Sequence, residues 1–201
     1  LMGNLFTLIG QLILLFVEMV RCLFVCRLEP RAWLTQCYHI GVRSLAIANI
    51  TAVFTGMVLA LQAAFALQAF GAELFVADLV SLSIVRELGP VLTALLVGGR
   101  VGAGITAELG SMRITQQLDA MRAMATSPVH KLVVPRVLAC LVCIPTLTVI
   151  ACLMGVMGGL LLSATELNID GHFYLSRVLT AVQVGDMISG FGKSVFFGFF
   201  I

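Results

Sequence analysis

Arg86-Glu87-Leu88-Gly89-Pro90 sets two opposite charges beside a proline, inside a stretch (Leu79–Ala107) whose only other charge is Arg100. Pro90 has no amide hydrogen, so the carbonyl of Arg86 loses its helical partner. A freed carbonyl therefore sits beside two charges in or near the membrane. Nothing in the run is equipped to break bonds. On insertion scales a charge at the bilayer centre costs about 2.5–3.5 kcal/mol, so such charges call for partners. Glu87 and Glu108 are separated by roughly 32 Å of helix, close to the thickness of the hydrocarbon layer. That spacing predicts Glu87 near the outer boundary and Glu108 near the inner one. Two readings stand: an interfacial charge pair above an ordinary proline kink, or the polar rim of a substrate cavity. Arg100 requires a carboxylate, a carbonyl or a lipid phosphate. Lys193, the one charge in Met187–Ile201, is expected to face a polar cavity or an outer headgroup.

Other patterns that could signal chemistry fail on spacing. Gly192-Lys193-Ser194 resembles the end of a phosphate-binding loop, but the position that needs glycine is Met187, and an apolar run follows. Cys140-x-x-Cys143 lacks a second ligand pair and lies in an apolar span, where cysteine behaves as a small hydrophobe. His39, His130 and His172 have no metal-ligand spacing. No catalytic residues and no metal site are expected.

The elements that carry these residues follow from composition. Of 201 residues, 60% are hydrophobic and 11% are charged, far below the quarter or so charged that is usual in soluble domains. A bilayer accommodates that much apolar surface. The net charge of +2 argues against nucleic acid as a partner. Ser44–Gln68 and Val137–Thr165 carry no charge over 25 and 29 residues, enough to cross a bilayer. With Leu79–Ala107 and the shorter Met187–Ile201 they make about four spans in an all-α membrane protein. The last one stops short, as though cut in mid-helix.

Eight of the twelve basic residues (Arg21, Arg27, Arg31, Arg43, Arg113, Arg122, Lys131, Arg136) fall before the first span or around the connection between the second and third. The positive-inside rule makes that side cytoplasmic. In Leu1–Cys26, Asn4, Thr7, Gln11, Glu18 and Arg21 form a narrow polar stripe. It predicts an interfacial helix over residues 1–30, with a packed spanning helix as the alternative. Ser111–Thr126 is too polar to span and predicts a short cytoplasmic helix. Ile114, Leu118, Met121 and Ala125 share one face, and Arg113, Gln116, Gln117, Asp119 and Arg122 cover the rest. It is either a plain connector or a docking helix for a cytoplasmic protein. Gly98 and Gly102, like Gly155 and Gly159, form GxxxG and predict close helix packing, within one subunit or across a two-fold axis.

The stretch RELGPVLTALLVGGRVGAGITAELGSMRITQQLDAMRAMATSPVHKLVVPRVLA, Arg86 to Ala139, resembles the MlaE-type (YrbE) permeases, as do TGMVLALQ (Thr55–Gln62) and GKSVFFG (Gly192–Gly198). These are membrane subunits of ABC-type intermembrane phospholipid transport systems. The resemblance implies a single permease domain over 1–201 and a homodimer with a lipid cavity between protomers. It implies a cytoplasmic ABC ATPase that supplies ATP and Mg, no cofactor in this chain, and a periplasmic MCE-domain partner. It places a coupling helix at residues 111–126, with Arg113, Ile114, Gln117, Leu118, Met121 and Arg122 as its contact residues. Whether Ile114, Leu118 and Met121 or the polar face meets the ATPase stays open. By position, Gln62, Arg86, Glu87, Leu88 and Lys193 would line the lipid cavity. The implied location is a bacterial, Gram-negative inner membrane, with no enzymatic activity in this subunit. Family chains continue into a fifth span, so a fragment is expected here. The alternative class is a secondary transporter or channel subunit that uses the intramembrane charges for ion coupling.

Overall fold

The computed structural model describes residues 30–124, 128–167 and 169–201, together with Thr7, Gly10, Leu14, Val17 and Arg21, which are helical. The expected interfacial helix over 1–30 otherwise lies outside the described residues, as does Ala125. From residue 30 on, the described residues form six helices and no strand: α1 (Pro30–Gln68), α2 (Glu73–Ile114), α3 (Gln117–Ala123), α4 (Val129–Glu166), α5 (Gly171–Ala181) and α6 (Val184–Phe200). In lipid every backbone N–H and C=O needs an internal partner, and helices provide it locally.

Three of the helices, α1, α2 and α4, are long and apolar enough to cross a membrane. The chain is a multi-pass membrane protein. Phe54, Phe65, Leu95, Leu153 and Phe196 are exposed on its outside, where lipid solvates them and water would not. The fourth apolar run forms α6, at 17 residues shorter than the three spans. The spanning helices also reach beyond the uncharged runs: α1 starts at Pro30 instead of Ser44, and α2 covers 42 residues. Charged residues near the ends do not stop a helix whose ends leave the hydrocarbon.

α4 is central and touches α1, α2, α5 and α6. It meets α1 almost backbone to backbone. A Cβ on Gly56 would lie 1.9 Å from the carbonyl oxygen of Gly155, so only glycine fits there. The Gly155–Gly159 pair is thus used for packing within the subunit. Gly99, Gly102 and Gly104 of α2 differ, since a Cβ on any of them would meet nothing within 4 Å. The thin face of α2 is open in the single chain. Gly98 does pack within the subunit, where a Cβ would lie 3.0 Å from Ile201, so the expectation of close packing is corrected only for Gly99, Gly102 and Gly104.

Each spanning helix contains one π-helical segment: Tyr38–Val42, Ile84–Leu88 and Val129–Val133. A π segment inserts one residue into the helical register, and such bulges often mark functional positions. The basic ends of α1, α2 and α4 meet at one end of the bundle. There Arg136, buried on α4, forms an ion pair with Glu108 of α2 at 2.5 Å. The contact is an ion pair more than an aligned hydrogen bond. At the other end, Arg177 of α5 pairs with Asp78 of α2 and lies over the Phe75 ring, 5.2 Å from its centroid. Tyr174 of α5 is fully buried beside Gly159.

Candidate functional site: a paired charge cluster inside the bundle

The π segment Ile84–Leu88 ends where Gly89 donates its N–H to the carbonyl of Ile84. Pro90 follows and has no hydrogen to offer Arg86. The orphaned Arg86 carbonyl instead accepts a hydrogen bond from Lys193 Nζ on α6, at 3.0 Å. The same ammonium pairs with Glu87 Oε1 at 2.6 Å. α6 approaches this point because residue 190 is glycine: a Cβ there would come within 2.4 Å of the Val85 carbonyl oxygen. One turn nearer the start of α6, Asp186 Oδ1 lies 3.3 Å from Arg86 Nε. The other carboxylate oxygen of Asp186 accepts the Gln183 N–H at 3.2 Å, in a capping box that opens α6. The two cations and two carboxylates are therefore matched pairwise.

Asp78 and Arg100 are separated by roughly 33 Å of helix, about the thickness of the hydrocarbon layer. Both are tied to other elements. Asp78 is held by Arg177 at one end of the bundle, and Arg100 donates to the Arg43 carbonyl and to Ser44 Oγ (3.0 Å) at the other. Arg86 and Glu87 lie between these two tied ends, about 12 Å along the helix from Asp78. Pairwise matching is what makes charges within an apolar helix tolerable. Next to the cluster, α2, α4, α5 and α6 enclose an apolar groove of about 590 Å³. Val85, Met187 and Gly190, neighbours of the charged residues, form one wall, and Leu153, Leu175 and Leu179 lie among the others.

Leu88 stands apart from this cluster and lines a small cleft against Thr51 and Thr55 of α1. Gln62 is exposed on α1, in none of the contacts that join Arg86, Glu87 and Lys193. Asp186 is the member that reading the sequence missed. A signal was present, because Asp186 and Lys193 are two helical turns apart and so share a face.

The expected helix over 111–126 is broken. Its first turn belongs to α2, which ends at Ile114, and Gln116 adopts a left-handed conformation (φ 56°) before α3 begins. Thr115 Oγ1 bonds back to the Ser111 carbonyl at 2.9 Å and helps close α2. Leu118 and Met121 are half-buried, while Arg113, Gln117 and Arg122 are exposed. Ile114 is 85% exposed, because the break turns it away from the Leu118 face.

Residues 33–201 match the family model described as Permease MlaE. The chain belongs to the MlaE permease family. Among its relatives are a probable ABC transporter permease protein of Rickettsia typhi, 43% identical over 83% of this chain and 64% of the relative, and one of Synechocystis, 42% identical over 87% of this chain and 66% of the relative. The intermembrane phospholipid transport system permease protein MlaE of Haemophilus influenzae is 39% identical over 81% of this chain and 62% of its own length. The chain thus spans slightly less than two thirds of the length of these curated relatives. The MlaE match begins at residue 33, within α1, and takes in all the residues of the charge cluster.

Proposed function

We propose that the protein is the permease subunit of an ABC transporter that moves phospholipid between the inner and outer membranes of a Gram-negative bacterium. The observation that carries this reading is the juxtaposition of a zwitterionic charge cluster with an apolar groove. A phospholipid has both features. Its phosphate would meet Arg86 or Lys193, and an amine-bearing headgroup would meet Glu87 or Asp186. The acyl chains would lie on apolar walls. Gln62, farther along α1, and Leu88, in the α1 cleft, would contact other parts of the lipid in a cavity completed by a second protomer. The name of the Haemophilus influenzae relative supports the same substrate.

The subunit itself performs no chemistry in this reading. ATP and Mg would be handled by a cytoplasmic ATPase docked at Arg113–Arg122, and an MCE-domain protein would receive or deliver lipid on the periplasmic side. Since Leu118 and Met121 are half-buried, the docking surface would be Arg113, Gln117, Arg122 and the outward-turned Ile114. The test is to purify the full-length protein with its partners and measure bound phospholipid and ATP-driven lipid transfer. Glu87→Lys is expected to lower phospholipid occupancy and slow transfer. Unchanged occupancy would remove the cluster from the lipid path. Transport driven by an ion gradient without an ATPase would favour the secondary-transporter class.

A further inference from the structure

At the opposite, basic end of the bundle, α1 and α2 enclose a second cavity, of about 420 Å³. Its polar wall includes Gln36, His39, Arg43, Arg100 and Glu108. The charges here do not balance as they do in the outer cluster. Glu108 is engaged by the buried Arg136, and neither Arg43 nor Arg100 has a carboxylate partner among the described residues. Arg100 is also fixed in place. One of its terminal nitrogens donates to the Arg43 carbonyl and to the hydroxyl of Ser44, which is buried. This anchoring holds one edge of the guanidinium and leaves its other N–H groups without a protein acceptor among the described residues. Ile40, Val101 and Ile105 supply apolar wall to the same cavity.

We propose that this cavity binds the phosphate of an anionic phospholipid from the cytoplasmic leaflet, a site separate from the outer cluster and independent of its assignment. Arg43 immediately precedes the uncharged run 44–68 of α1 and Arg100 is bonded to its carbonyl, so both belong to the basic margin that the positive-inside rule assigns to the cytoplasmic face. Uncompensated cations at this margin recruit anionic headgroups, and a planar guanidinium suits a phosphate better than an ammonium does. The apolar wall favours a phosphate that carries a glycerol and acyl chains over a free phosphate ion.

The experiment measures lipid retained by the full-length complex in detergent, by mass spectrometry, after exchange into mixed micelles with phosphatidylglycerol or phosphatidylethanolamine. Arg43→Gln is expected to reduce phosphatidylglycerol retention about fivefold, the worth of one basic residue at a membrane surface, with phosphatidylethanolamine retention unchanged. Arg43→Lys should restore most of it. Equal phosphatidylglycerol retention by Arg43→Gln and the parent would overturn the proposal. So would displacement of the lipid by excess inorganic phosphate, which would assign the cavity to a soluble anion. Arg100→Lys, which keeps the charge but loses the forked geometry, gives a second reading: it should bind phosphatidylglycerol more weakly than the parent, and equal binding would also count against the site.

Discussion

Lys193 of α6 occupies the hydrogen-bonding position that Pro90 leaves empty on the Arg86 carbonyl, at 3.0 Å, while it also neutralises Glu87 at 2.6 Å. One side chain thus serves a backbone defect and a charge on a neighbouring helix. Replacing Lys193 with Met leaves the carbonyl and the carboxylate unserved in a largely apolar setting. The expected loss of stability is about 2 kcal/mol, read as a lower thermal midpoint of the purified protein. The double variant Glu87→Gln with Lys193→Met should recover part of that loss, since the stranded charge is gone. A double variant as unstable as the sum of the two singles would show that the pair is not coupled.

The Glu108–Arg136 pair is asymmetric, and the asymmetry sets the sign of a second prediction. Arg136 has 6% of its side chain exposed and Glu108 has 48%. Glu108→Gln strands a buried guanidinium, for which a cost of about 3 kcal/mol is expected. Arg136→Met leaves a carboxylate that water or headgroups can reach, so it should cost less. Chemical denaturation of both variants in the same detergent would rank them, and the reverse order would refute the assignment of the buried partner.

Gly56→Ala should be among the most damaging single-methyl changes in the chain. The added carbon would sit 1.9 Å from the Gly155 carbonyl oxygen, so α1 and α4 would have to separate. Overpacking of this kind costs about 3 kcal/mol or more, and loss of monodisperse protein on size-exclusion chromatography is the expected readout. Gly110→Ala, where a Cβ meets nothing within 4 Å, should elute as the parent does.

Gln116 holds a left-handed backbone conformation at the joint between α2 and α3. A non-glycine residue in that region costs about 1 kcal/mol. Gln116→Gly relieves that cost but adds freedom to the unfolded chain, so a small net gain in thermal midpoint is expected. Gln116→Val, β-branched and poorly suited to positive φ, should straighten or destabilise the joint. If the joint orients α3 for an ATPase, Gln116→Val should also reduce co-purification of that partner, as should Arg122→Glu. Unaltered recovery with both variants would argue that α3 is only a connector.

Much of this architecture was legible in the residues. The uncharged runs 44–68 and 137–165 announced two spans, because backbone desolvation in lipid leaves a long apolar segment little choice but a helix. Pro90 announced an orphaned carbonyl at Arg86, because the missing hydrogen is a covalent fact. The glycine pair Gly155–Gly159 announced close packing, although in the matching pair of α2 Gly98 meets Ile201 while Gly102 stays open. Pattern shows that a close approach is allowed; only a neighbouring helix makes it happen.

What the sequence determined by itself was whatever depends on local chemistry: membrane immersion, helix content, the proline defect and the basic side. The tertiary structure decided the partners. Lys193 meets Arg86 and Glu87 across more than a hundred residues, Asp186 meets Arg86, and Arg100 finds a carbonyl and a hydroxyl on α1. A buried charge states only that it needs a counterpart. Which atom answers depends on helix register, on the π segment that shifts the face of α2 at residues 84–88, and on the glycine that lets α6 come close. These are properties of the packed bundle, where a single residue of register turns a side chain by about 100°.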